Sequence, residues 1–161
     1  MFRPYCVETV ALRCVPGWIG SRCKEDVVDV DELIERFSLF DDWEERYAYI
    51  IQMGRKLPAF PEEHRTEANK VRGCVSQVWM ISEVNEGCVR LQGDSDAFIV
   101  KGLVAILLAL YSGKTPAQIA AIDIESVFSE LELHEHLTPN RRNGFFSMVE
   151  RIRTYGKVAS A

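Results

Sequence analysis

A chain of 161 residues has the length of one ordinary domain, and 47% hydrophobic with 27% charged residues is the make-up of a globular fold with a sizeable core. The formal net charge of −5 leaves no basic footprint for nucleic acid. The longest uninterrupted apolar run, Leu103 to Tyr111, is far shorter than the ~20 residues a membrane-spanning helix needs.

Residues 1–29 read as a variable extension and 30–161 as the domain. The extension holds Cys6, Cys14 and Cys23, and Arg3, Glu8, Arg13, Arg22 and Lys24 interrupt every apolar run, so no signal-peptide core can be drawn through it. The three cysteines match no common zinc spacing. With Cys74 and Cys88 they make an odd total without a C-x-x-C pair. That count argues against a disulfide framework and for a reducing, cytoplasmic setting.

From Val30 onward the pattern is regular. Leu33, Ile34 and Phe37 predict a short helix within 31–40. Asp42 is a predicted N-cap with Glu45 three residues on, and Trp43, Tyr47, Ile50, Ile51 and Gly54 form one apolar stripe behind it. Pro58 and Pro61 stop that helix, and a polar loop leads to Cys74. Gln77 to Val84 and Cys88 to Gln92 predict a hairpin about Asn85-Glu86-Gly87, with Cys88 on its more polar face as structural filler. Lys70 to Gly73 are expected to add a third strand. Ala97 to Ser112 is apolar almost all round, with Lys101 its one charge, so it predicts a central helix, and Gly102 admits a close neighbour. Asp94 and Asp96, directly before it, read as N-caps. Thr115-Pro116-Ala117-Gln118 is a capping box, Asp123 caps a helix through Leu133, and Thr138-Pro139 opens the last one. The fold class predicted is α+β, a small three-stranded antiparallel sheet packed against helices.

Three groups invite a chemical reading. Cys74 follows Gly73, which can turn the chain sharply and present a thiol at a loop tip; the alternative is a small apolar residue on a buried strand. His134 and His136 flank Glu135, but residues two apart on a helix point in different directions and no third metal ligand is in view. Activation of Cys74 by His64, His134 or His136 would make a hydrolase, yet no asparagine or glutamine constellation accompanies them. Arg141 and Arg142 sit at a helix start, where positive charge opposes the dipole, so local stability does not explain them.

The blocks R-G-C-V-S-Q-V-W, L-Q-G-D-S-D-A, I-V-K-G-L and L-T-P-N-R-R-N-G, preceded by W-E-E-R-Y-x-Y-I-I-x-M-G-x-x-L-P, resemble the SufE family of sulfur-acceptor proteins. They lie in family order across about Val30 to Tyr155. The resemblance implies a fold like that of iron–sulfur scaffolds and a carrier that accepts sulfur on Cys74 from a pyridoxal-phosphate cysteine desulfurase (SufS- or CsdA-like). Such a carrier stimulates that enzyme and hands sulfur to an iron–sulfur scaffold or another acceptor. By the same resemblance Cys74 rests in an apolar pocket until the desulfurase draws its loop out. Arg72, Gly73, Asp94, Asp96 and Arg141 would face the partner. Pyridoxal phosphate belongs to the partner, and this chain would need neither cofactor nor metal; a homodimer is left open. Two rival readings stand beside the carrier. An iron–sulfur scaffold needs several convergent ligands, and a regulatory module for a desulfurase would not need Cys74.

Overall fold

The computed structural model describes residues 29–160; the expectations placed on Cys6, Cys14 and Cys23 lie outside them. Helix α1 (Val30–Ser38) buries Leu33 and Phe37, one turn apart, and α2 (Trp43–Arg55) starts where the Asp42 carboxylate accepts from the Glu45 amide at 2.8 Å. A strap, residues 58–71, then crosses the molecule through two single 3₁₀ turns, Glu62–His64 and Glu67–Asn69.

The strap leads to a hairpin. Strands β1 (Val78–Asn85) and β2 (Cys88–Ser95) pair antiparallel from Val78 opposite Ser95 to Asn85 opposite Cys88. Glu86 (φ 51°) and Gly87 (φ 80°) close it as a two-residue turn with both φ values positive, the geometry whose twist matches the strands. The sheet has two strands among the described residues, not three. The expected third shrinks to one bridge, Lys70 to Trp79, followed by the Val71 amide on the Val78 carbonyl at 2.8 Å. It ends there because Gly73, at φ 93°, bends the chain away from β1. Cys88 is also corrected: it is buried, 2% exposed, rather than on a polar face, and it is disulfide-bonded, against the expectation of structural filler in a chain without a disulfide framework.

Helix α3 (Phe98–Tyr111) lies against one face of the hairpin, with almost every residue from Ile99 to Tyr111 buried. It crosses α2 at Gly54 and Gly102, where the two backbones touch. A Cβ on Gly102 would stand 2.3 Å from the Ile50 carbonyl oxygen. Helix α4 (Pro116–Ala121) carries the reciprocal Thr115–Gln118 capping box, and Asp123 caps α5 (Ile124–Glu130). The predicted run through Leu133 breaks because Glu132 adopts a left-handed conformation (φ 58°), leaving α6 (Leu133–His136) as a separate turn. Helix α7 (Pro139–Ala159), capped by Thr138, packs on α3 and α4. It is tied to the sheet by the Tyr155 hydroxyl, which donates to the Met80 carbonyl at 2.8 Å. The result is an α+β fold with its helical core on one sheet face. On the other face Trp79 and Ile81 pack with Phe60 of the strap. No helix among the described residues is long and apolar enough to cross a membrane.

Candidate functional site

The strap and β1 leave a loop, residues 72–77, whose two ends are fixed. Val71 is bonded to Val78 upstream. Downstream, Gln77 donates its amide to Asp96 at 3.0 Å and accepts from the Ser95 hydroxyl at 2.8 Å. Between these anchors the positive φ of Gly73 turns the chain onto α7, so close that a Cβ there would lie 2.4 Å from Ser147 Oγ. The turn delivers Cys74 to the flank of α7. Its free thiol donates to the Gly144 carbonyl at 3.5 Å, a weak bond, and Gly144 has no side chain to prevent the approach. The next residue, Val75, is 82% exposed at the loop tip.

Cys74 lines a cavity of about 260 Å³ between this loop, α3 and α7. Val100 and Leu103 of α3 with Phe145 and Met148 of α7 supply its buried apolar wall. Ser76, Thr138, Asn140 and Arg141 supply its polar side. Arg141 is the one charged residue in the lining; it is half-buried, and its guanidinium pairs with no carboxylate among the described residues. Burial pushes the Cys74 thiol above the ordinary cysteine value, and no neighbouring charge opposes that rise. A thiol here is neutral at rest, sheltered on one side and within reach of the surface through its loop.

The other candidates are placed differently. The two aspartates are not helix caps, since no side chain caps α3. Asp96 secures Gln77, as described. Asp94 turns inward, its side chain 6% exposed, bonding Arg65 at 2.5 Å and Lys101 at 3.1 Å. The Arg65 guanidinium also lies over the Trp79 ring at 5.2 Å. Asp94 thus fastens the strap to the sheet and α3 and is not presented at the surface. Arg72 stands exposed on the cysteine loop. Arg142 has an internal partner, donating to the His134 carbonyl at 3.4 Å. His136 stacks on Trp43 with ring centroids 4.2 Å apart, and the His134 imidazole meets its neighbour Glu135 at 3.5 Å. Neither of them, nor His64, lines the Cys74 cavity. Among the described residues no three His, Cys, Asp or Glu side chains converge to hold a metal.

Sequence reasoning missed Arg65, which besides its neighbours Glu62 and Phe60 meets Trp79 and Asp94, 14 and 29 residues away in the chain. It also passed over the packing of Gly144. That glycine stands in the L-T-P-N-R-R-N-G block, but what it faces is decided by tertiary structure.

Comparison with known proteins gives a consistent answer. Residues 31–156 match the model of the SufE family, described as an Fe-S metabolism associated domain. An uncharacterised SufE-like protein of Rhizobium etli is 48% identical over 139 residues, covering 84% of this chain and 94% of the relative. Another from Rhizobium meliloti is 43% identical over 132 residues, covering 80% and 94%. In structure, a hypothetical protein of Thermus thermophilus, solved in solution, aligns with a TM-score of 0.68 at 22% identity over 81% of this chain and 94% of that one, a likeness of fold alone. A family match across most of the domain, with relatives at this identity, is sufficient: the chain belongs to the SufE family of iron–sulfur metabolism.

Proposed function

We propose that this chain is a sulfur acceptor and carrier, loaded on Cys74 by a pyridoxal-phosphate-dependent cysteine desulfurase, which it also stimulates, and discharged toward iron–sulfur cluster assembly. The observation that carries the reading is the placement of one free thiol over a cavity with an apolar wall, on a loop that ends in fixed anchors. Loading is thiol–disulfide exchange chemistry. The Cys74 thiolate attacks the outer sulfur of the persulfide on the donor enzyme, a Cys74–sulfur bond forms, and the donor's S–S bond breaks. The electron pair departs with the donor cysteine as thiolate. The proton given up by Cys74 ends on that thiolate or in water. Nothing in this chain need act as base if the loop leaves its apolar surroundings when it meets the partner, because the thiol then regains its ordinary acidity. On return to the cavity the carried sulfur is shielded from stray thiols and oxidants.

The test is intact-mass analysis after incubation with a cysteine desulfurase and free cysteine. The expected result is the gain of one or more sulfur atoms, removable by reductant, mapped to Cys74 and missing in Cys74→Ser. Sulfur that never loads, or that loads equally on Cys88 or the other cysteines, overturns the proposal. The same loss of sulfur transfer in Cys74→Ser separates a carrier from a regulatory module, which would keep its full effect on the desulfurase.

A further inference from the structure

Within the Cys74 cavity one group is left unexplained by packing. Arg141 is half-buried, lines the cavity and has no carboxylate partner among the described residues. An arginine drawn partly out of water without a counter-ion is unfavourable unless an anion joins it. The resting thiol is not that anion, because burial keeps it protonated and no charge offsets the effect.

A loaded Cys74 differs from a resting one in two respects. Its outer sulfur lies about 2 Å beyond Sγ. It is also a stronger acid than the parent thiol, because the adjacent sulfur spreads the negative charge. The cavity of about 260 Å³ has room for one more atom, whose volume is comparable to the ~30 Å³ share of a water molecule. Of the elements enclosing the cavity, the loop contributes Cys74, Val75 and Ser76, α3 contributes Val100 and Leu103, and α7 contributes Arg141 as its sole charged group. Nearby charges are committed elsewhere: Lys101 to Asp94, and Asp96 to the Gln77 amide.

We infer that Arg141 is the counter-ion of the outer sulfur of a Cys74 persulfide, so that the cavity holds the resting cysteine as a neutral thiol and the loaded cysteine as an anion. The inference rests on the sulfur-carrier reading of Cys74 and extends it. It gives the cavity a purpose beyond shelter, since an anionic outer sulfur repels incoming thiolates until the loop takes it away from Arg141.

The persulfide for the test is made without any desulfurase. The Cys74 thiol of the full chain is converted to its 2-pyridyl disulfide, and hydrosulfide then displaces pyridine-2-thione. That step forms the Cys74–sulfur bond as the bond to the pyridyl sulfur breaks, and peptide mass confirms the position. The pH dependence of alkylation by iodoacetamide is measured for resting and loaded protein, in wild type, Arg141→Gln and Arg141→Lys. The expected result is a rise of the persulfide's titration midpoint by about one pH unit in Arg141→Gln, the usual size for losing a nearby opposite charge. Arg141→Lys should recover most of it, with the resting thiol unmoved in all three. A persulfide midpoint unchanged in Arg141→Gln, or a resting thiol that moves by the same amount, overturns the inference. Failure of wild type to accept sulfur from a desulfurase while these shifts persist would sink the carrier reading instead, so the two are told apart.

Discussion

Two of the close glycine contacts in the fold differ in what the glycine meets. Where α2 crosses α3, Gly102 faces main chain: the Ile50 carbonyl oxygen stands 2.3 Å from where a Cβ would sit, and Gly54 returns the approach at 2.7 Å from the Gly102 nitrogen. Where the cysteine loop meets α7, Gly144 faces a side chain, with Cys74 Sγ at 3.1 Å from its would-be Cβ. Backbone inside two packed helices cannot yield without separating the helices, whereas a thiol on a six-residue loop can. One contact therefore builds a rigid platform, and the other sets down a part that can be lifted off it. The same residue type serves both, and only its neighbour distinguishes them.

Substitution at the first contact should have the larger effect. Gly102→Ala gains about 1 kcal/mol of helix propensity but forces α2 and α3 apart along the largest helix–helix contact of the fold, so a net loss of about 2–3 kcal/mol is expected. Urea unfolding would show it as a lower midpoint at unchanged slope. A midpoint equal to wild type would mean that the crossing is not the rigid member of the pair.

At the second contact the balance reverses. Gly144→Ala gains the same propensity, and the clash is relieved by moving one side chain and its loop, so stability should stay within about 1 kcal/mol of wild type. What should change is Cys74. Displaced by its new neighbour and without its bond to the Gly144 carbonyl, it should be alkylated several-fold faster at neutral pH. Equal alkylation rates, with stability falling as far as in Gly102→Ala, would erase the distinction between the two contacts.

The platform was largely legible in the sequence, and the site only in outline. The Asp42 cap, the Thr115–Gln118 box and the hairpin about Asn85-Glu86-Gly87 are local: each needs only the residues within one turn of chain, and the first two stand as read, while the third closes one residue tighter, with Asn85 paired in β1. Gly102 in an otherwise apolar helix was a sound pointer to close packing because nothing else justifies its entropy cost there. Lys70 to Gly73 misled because β-propensity carries no information on where a neighbouring glycine will turn the chain. Asp94 misled in the opposite way: an aspartate before a helix favours capping, but Arg65 and Lys101 outbid the helix amides from elsewhere in the fold. The cysteine loop could be located from Gly73-Cys74. Its cavity could not, since Val100, Leu103, Phe145 and Met148 look like any core residues until α3 and α7 are set side by side.

The smallest expected effect sharpens the comparison most directly, because it reads the loop contact through Cys74 itself. Burial raises this thiol's pKa, so the folded protein holds the proton more tightly than the unfolded chain does. The contribution to stability is then fully present below the ordinary cysteine value of about 8.5 and is lost as pH rises through the folded pKa. Tyr111, pushed up to about 12 by burial, acts in the same direction, but its loss begins only above the ordinary tyrosine value of about 10, which leaves a window between them. Stability measured by urea unfolding from pH 8 to pH 10 should therefore decline slightly more in wild type than in Cys74→Ser. The midpoint for alkylating Cys74 in the folded protein should lie above that of a model thiol. Gly144→Ala should lower that midpoint toward the ordinary value, since a displaced thiol is a wetter one. If wild type and Gly144→Ala instead titrate together above the ordinary value, the thiol's burial does not depend on the Gly144 contact, and the loop is part of the platform after all.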